Sequence, residues 1–367
     1  TVLSNQSAIA KQGAAVRVAV QRVMEVTGKN KVILVGHSMG GLASREYIQN
    51  SYNWQADNQH HVAKFLTLGT PHGGSNASDI PGSFLTGTDT RSEALRDLKT
   101  TYYYSGEPSR FLFGGIEINN SSNMNEHFIG PDYWNIDVNC NGTIGDNIVG
   151  LNQKPIDNII DFSCVLGRIN GSSSDGVVTE TSGTLGNYFT GTGLTYPIKY
   201  FYYTSIGIEN HTALPSQYYE IMQGLDEPNF KELAYGITTN KTYIGYTTVQ
   251  NPVAADNDYF KFTVADNVNA VVNVSSIVTS SMNGTILNAA GVDVGASQNN
   301  SGNTLSFTRV LAPGDYFLKL TSTNPTNTNY QTPYQFNITT TLSVDDTDLE
   351  SFVFYPNMDS IKKILTL

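Results

Sequence analysis

The sequence is poor in charge: of its 367 residues only 14 % are Asp, Glu, Lys or Arg, and the balance is acidic, with a formal net charge of -11. The 21 basic residues form no block or stripe that could track a phosphate backbone, which excludes nucleic acid as a partner. Cysteine is nearly absent. Cys140 and Cys164 are too few for a disulfide framework and leave only one bridge open. No apolar run reaches the roughly 18 residues that a membrane-spanning helix needs, so no transmembrane segment is expected. Thr1 is preceded by neither an initiator Met nor an apolar leader, and processing or truncation is expected to have removed the natural start. Asn, Thr, Ser, Gly and Tyr are abundant instead, giving the weakly charged polar surface common in extracellular β-rich proteins. The length exceeds what one hydrophobic core usually organises, so two or more domains are expected.

Ile9, Val16, Val20, Val23 and Met24 recur at helical spacing, and Thr27-Gly28 ends the pattern. Lys31 to Val35 is a short continuous apolar run, as expected for a strand buried on both faces of a parallel sheet. Gly40 to Gln49 reads as a second helix and Val62 to Leu68 as a second buried strand. Asn158 to Leu166 and Ile198 to Ile206 are two more strand candidates, and Ser216 to Gln223 is a closing helix. The class is therefore α/β, a mostly parallel sheet with helices on both faces, over residues 1–235. Residues 76–155 lose periodicity, cluster aromatics (Tyr102, Tyr103, Tyr104, Phe111, Phe113) and read as an insertion. Residues 236–342 carry six or more short alternating runs with no intervening helix, which predicts an antiparallel β-sandwich. Residues 343–367 form an acidic linker ending in Phe352 to Asn357 and beyond.

The chemistry starts at Gly36-His37-Ser38-Met39-Gly40, a G-x-S-x-G pattern set between a buried strand and a helix. A sharp turn there lifts the serine above the strand end, and the helix N-terminus behind it favours a developing oxyanion, with Met39 N–H as one donor. A serine hydroxyl needs a base to take its proton, and the base needs a third group to fix its tautomer. Asp175, in Ser174-Asp175-Gly176, follows one strand candidate, and His211 follows the next. This makes Ser38 the nucleophile, Asp175 the acid and His211 the base. The competing readings are an ordinary Asp-Gly turn at 175 and a solvated loop histidine at 211. His37 and His72 are candidates for supporting the turn and contacting substrate; His60, His61 and His127 read as solvated.

Asp137-Val138-Asn139-Cys140-Asn141-Gly142 matches the opening of a calcium loop, with Asp137, Asn139, Asn141, Thr143 and Asp146 as candidate ligands. The twelfth position is Ile148 rather than Glu, and a tight Asn-Gly turn is the alternative.

Three stretches, Val32 to Leu42, Leu68-Gly69-Thr70-Pro71-His72-Gly73-Gly74-Ser75 and Asp175 to Val178, resemble bacterial lipases and related α/β hydrolases. The resemblance implies the α/β-hydrolase fold, the triad Ser38, Asp175 and His211, and hydrolysis of carboxylic esters, often lipids, beneath a lid that residues 76–155 would supply. Members of that family carry strands and a second oxyanion donor upstream of the first helix seen here, so the resemblance implies a fragment of a longer protein. Asp256 to Phe262 and Leu311 to Tyr316 resemble pre-peptidase C-terminal β-sandwich domains, and Phe352 to Leu367 is similar to the start of the sorting domains of type IX secretion. Together these imply a secreted or surface-attached bacterial enzyme acting on a lipid or other ester; the triad chemistry needs no organic cofactor, and structural calcium is expected from the Asp137 loop alone. The rival readings are an acyltransferase or amidase using the same triad, and a surface binding or adhesion protein whose hydrolase part is inactive.

Overall fold

The computed structural model describes residues 7–77, 93–100, 110–116, 137–189, 196–207, 210–249, 255–278, 281–325 and 331–343. The expectations for Tyr102 to Tyr104, His127 and the sorting segment fall outside these residues.

Helix α1 (Ile9–Thr27) ends where Gly28 adopts φ 65 and returns its N–H to Met24 C=O, so the Thr27-Gly28 stop acts as a left-handed cap. Its N-terminus has no side-chain cap of its own. Distant carboxylates serve instead: Glu93 accepts from Ala8 N–H at 2.8 Å and Asp97 from Ile9 N–H at 2.9 Å. Strand β1 (Val32–His37), helix α2 (Met39–Gln49) and strand β2 (Val62–Leu68) follow.

Residues of the expected insertion form α3 (Glu93–Leu98), α4 (Arg110–Phe113) and a two-stranded antiparallel ribbon of β3 (Gly115–Ile116) and β4 (Asn147–Ile148). Leu95, Leu98, Phe111, Leu112, Val138, Ile148 and Leu151 pack with Ile9 and Leu42, so these parts are a fixed layer on α1 and α2. The lid expected over 76–155 would have to come from residues outside the description.

Strand β5 (Asp161–Ile169), the short helix α5 (Glu180–Gly183), β6 (Lys199–Ser205), α6 (Asn210–Ala213) and α7 (Tyr218–Leu225) complete the parallel region. Its sheet has the order β1-β2-β5-β6 with every neighbour parallel. Val20, Tyr47, Ile48, Phe65, Phe162 and Cys164 pack on one face, and Leu66, Leu68, Val165, Phe201 and Leu214 with Ile221 and Leu225 on the other. Both faces are covered at β2 and β5, which is why those strands read as continuous apolar runs. The expectation that Lys31 to Val35 is buried on both faces fails, because β1 lies at the sheet edge and leaves Ile33 and Val35 exposed. Cys164 is buried and neither cysteine forms a disulfide.

The remaining strands are β7 (Tyr235–Gly236), β8 (Thr242–Gly245), β9 (Asp256–Val264), β10 (Val268–Ser275), β11 (Met282–Asn288), β12 (Gln298–Asn299), β13 (Leu305–Leu311), β14 (Gly314–Ser322) and β15 (Tyr334–Leu342). They make two sheets, β13-β10-β15-β8 and β12-β11-β14-β9-β7, antiparallel except where β7 meets β9. Burial alternates along β9 and β10, and Phe260, Phe262, Val272, Ile286, Leu318 and Phe336 share one core. No strand was expected at β11; Gly284 sits there because a Cβ would come 2.9 Å from the Phe307 ring.

Where the two regions meet, charged groups are buried. Lys64 and Asp161 form an ion pair, and Lys199 Nζ lies 3.6 Å from Asp226 and 3.9 Å from Asp161. Asp258 accepts from Tyr334 Oη at 2.5 Å, Asp256 from Thr248 N–H at 2.8 Å and Glu227 from Tyr246 N–H at 3.3 Å. Burial, reinforced by neighbouring carboxylates, pushes Glu227 up to about 8 and holds Asp256 and Asp258 well above the usual carboxylate range.

Candidate active site

Between β1 and α2 the chain reverses at Ser38, whose φ of 52 and ψ of -129 put a non-glycine residue in strained backbone space. The strain is held in place: Ser38 N–H donates to Leu68 C=O at 2.9 Å, and Gly41 N–H to Ser38 C=O at 3.0 Å. A Cβ at Gly36 would come 2.6 Å from Gly41 Cα, and one at Gly41 would come 2.0 Å from Thr70 Oγ1. Gly40, the second glycine of the pattern, has open space around it. The steric requirement thus falls on Gly36 and Gly41. Met39 is the first residue of α2, so its N–H lies at the positive end of the helix, while its side chain packs toward the insertion layer.

The structure brings Ser38, His211 and Asp175 together. His211 Nε2 is 2.9 Å from Ser38 Oγ, and its Nδ1 is 2.6 Å from Asp175 Oδ2. A carboxylate facing Nδ1 accepts the ring proton there, which leaves Nε2 as the acceptor for the serine hydroxyl. Asp175 and His211 are each only 1 % exposed, so their contact is shielded from water. The other oxygen of Asp175 accepts N–H bonds from Val177 at 2.9 Å and Val178 at 2.7 Å. Gly176 at φ 90 makes Asp175-Gly176 a turn as well, so the two readings of this dipeptide describe one structure. Gly69, which sequence reasoning marked only as a strand end, decides how closely the pair approaches β2: a Cβ there would come 2.6 Å from Leu214, 3.0 Å from Asp175 Oδ2 and 3.1 Å from His211 Nδ1.

The other histidines fall elsewhere. His37 turns its Nε2 to the backbone carbonyl of His211 at 2.9 Å, so its described contact is with the base's loop. His72 is fully buried, against Arg45 and near Thr67; burial, then the Arg45 guanidinium, hold its imidazole well below the usual histidine range. The expectation that His72 contacts substrate gives way to a packing role, because the residue after Pro71 turns into the core. Arg45 is equally buried, donating to Gln49 and Asn152, and burial pushes it down to about 9. His60 is also buried, 3.0 Å from Asp157, rather than solvated.

In the candidate calcium loop, Asp137 accepts from Asn141 N–H at 3.0 Å and Gly142 N–H at 2.6 Å, and Asn139 from Asn141 N–H at 3.3 Å. Asn141 accepts from Thr143 N–H at 2.8 Å and donates from Nδ2 to Asp146 at 2.6 Å. Asp137 and Asp146 thus meet the same Asn141, whereas Ile148 is buried in β4 and offers no ligand. Elsewhere Asp226, Asp256 and Asp258 bring carboxylate oxygens within 4.8 Å of one another, but Lys199 already supplies a cation beside Asp226.

A family model for lecithin:cholesterol acyltransferase matches residues 16–89, a stretch that contains the Ser38 turn. No curated protein matches the chain. Among solved structures, a Bacillus licheniformis lipase in its propeptide form is 15 % identical, covering 94 % of this chain and 67 % of its own, with a TM-score of 0.32. The same lipase in mature form is 17 % identical over 57 % of this chain and 73 % of its own, with a TM-score of 0.29. The pre-peptidase C-terminal domain of a Bacillus anthracis collagenase is 19 % identical over 31 % of this chain and 98 % of its own, with a TM-score of 0.25. Scores this low leave the functional reading to the geometry. No described helix is long and apolar enough to cross a membrane.

Proposed function

We propose that this chain is a serine ester hydrolase of the α/β-hydrolase type, a lipase or esterase acting on a lipid or related ester. The observation that carries the reading is the chain of contacts from the half-buried Ser38 Oγ through the buried His211 to the buried Asp175, at 2.9 and 2.6 Å. His211 Nε2 takes the proton as Ser38 Oγ bonds to the ester carbonyl carbon, and Met39 N–H stabilises the oxyanion. The tetrahedral species then expels the alkoxide, which takes its proton from His211. The acyl group stays on Ser38 until water, deprotonated by His211, releases the acid and restores the serine. No organic cofactor enters this cycle. The test is hydrolysis of p-nitrophenyl butyrate and palmitate beside Ser38→Ala, with serine labelling by an organophosphonate. Turnover that survives in Ser38→Ala, or a wild type that neither acts nor is labelled, sinks the reading and favours binding or adhesion.

Acyl transfer is the second reading, favoured by the family match over residues 16–89. It differs only in the final acceptor, an alcohol instead of water. A transesterified product dominating in the presence of an alcohol would select it; amide cleavage by the same triad is checked with anilide substrates.

Structural calcium remains part of the proposal. Asp137, Asn139 and Asp146 would hold a hard cation through oxygens, as calcium prefers, once Asn141 turned its amide oxygen inward. Calcium added to a chelated sample should raise Tm, and an unchanged Tm removes the ion from the proposal. Secretion or display at the cell surface is the location that the weakly charged composition favours, and fractionation of the native host would check it.

A further inference from the structure

We propose that His37 is a positioning residue, which ties the loop of the base to the nucleophile by donating its Nε2–H to the His211 carbonyl. The proposal rests on the triad reading above and adds a component to it.

The argument begins with a deficiency in α6. This helix spans only Asn210–Ala213, and a helical carbonyl bonds the N–H four residues on. For His211 that residue is Pro215, which has no N–H. The usual i+4 partner is therefore missing for a backbone acceptor in a residue only 1 % exposed. His37 supplies the donor at 2.9 Å, with ring centroids 5.0 Å apart. An imidazole nitrogen facing a carbonyl must carry the proton, so the bond selects the Nε2–H tautomer of His37. Burial holds His37 below the usual histidine range, and a neutral ring can make this bond.

The position of His37 matters more than the bond alone. It is the last residue of β1 and the neighbour of Ser38, so anything bonded to it moves with the nucleophile. The base is held on its other side by Asn210, whose Nδ2 donates to Arg168 C=O at 3.1 Å and to Ser205 Oγ at 2.9 Å. Asn210 therefore fixes the loop to the ends of β5 and β6, while His37 fixes it to β1. The His37 bond ties the His211 backbone to the strand that carries Ser38, and losing it would let the Ser38–His211 separation widen.

The test compares His37→Phe, which keeps a ring but removes the donor, with His37→Gln, whose Nε2 can still reach the carbonyl; melting curves first establish that both fold. For His37→Phe a fall in kcat of about 10- to 100-fold with KM within about twofold is expected, and His37→Gln should stay within about threefold of wild type. A merely structural role would not give that split or that rescue. The downfield NMR proton of His211 Nδ1 provides a readout independent of turnover, expected to be sharp in wild type and His37→Gln and exchange-broadened in His37→Phe. Unchanged kcat in His37→Phe, equal losses in both variants, or a sharp signal in all three proteins overturns the proposal. If the wild type proves inert on esters, the ester reading fails and the NMR comparison alone decides the role of His37. Absence of the signal from wild type would overturn both.

Discussion

At the C-terminal ends of the parallel strands, the half-buried Ser38 and the buried Asp175 and His211 form a polar chain in which donors and acceptors are matched. At the N-terminal ends of the same sheet, Lys64, Asp161 and Lys199 face Asp226, Glu227, Asp256 and Asp258, five carboxylates against two ammonium groups. Both clusters are shielded from water, where an unmatched charge costs far more than in solution. The first cluster pairs each group by geometry. The second has too few cations, and burial with the neighbouring carboxylates raises Glu227, Asp256 and Asp258 toward the protonated form. Burial therefore does not by itself make chemistry. In the proposed triad each donor faces one acceptor, which suits it to proton transfer, whereas the junction has more carboxylates than cations to pair them.

The largest expected effect breaks the matched cluster. Ser38→Ala should lower kcat/KM for a p-nitrophenyl ester by about 10⁴-fold or more, and Asp175→Asn by about 10⁴-fold, because an amide facing Nδ1 selects the wrong tautomer. Neither change should move Tm as far as the next one does. Lys199→Met removes a cation from a site already short of them and should cost about 3 kcal/mol in urea unfolding, with kcat unchanged. A Lys199→Met protein as stable as wild type would mean that protons alone balance the junction.

The smallest effect sharpens the contrast through pH. Glu227 is raised from its ordinary 4.5 to about 8 by burial and by Asp226, so the folded protein keeps a proton that the unfolded chain releases above 4.5. The stability it contributes is fully present below about 4.5 and is lost as pH rises through about 8. Tm should therefore fall between pH 5 and pH 8, and Glu227→Gln, which cannot ionise, should flatten that fall. Identical pH dependence in the two proteins would show that Glu227 ionises normally in the fold.

Much of the site was legible because its signals are local. An apolar strand, Gly36-His37-Ser38-Met39-Gly40 and a helix follow one another in eleven residues from Val32 to Leu42, and the geometry of that turn is set by neighbours in the chain. Asp175 and His211 were found by their place after strand candidates. Lys64, Asp161 and Lys199 were not, because each lies in an apolar strand pattern where a single charged residue looks like an interruption. Their meaning depends on Asp226, Glu227, Asp256 and Asp258, brought to them by α7 and β9. His72 was misread for the same reason: a histidine after a strand end points to a surface or into the core according to what packs over it, and here Arg45 of α2 does.

By itself the sequence determined the main helices and strands of the parallel sheet, the parallel and antiparallel character of the two regions, and the residue that carries the strained turn, since periodicity and turn chemistry act over a few residues. The tertiary structure alone decided which glycines permit close approach, that His37 meets the His211 carbonyl, and that acids far apart in the chain share one dry junction. Those are properties of distance between segments, and chain order does not encode distance until the layers have packed.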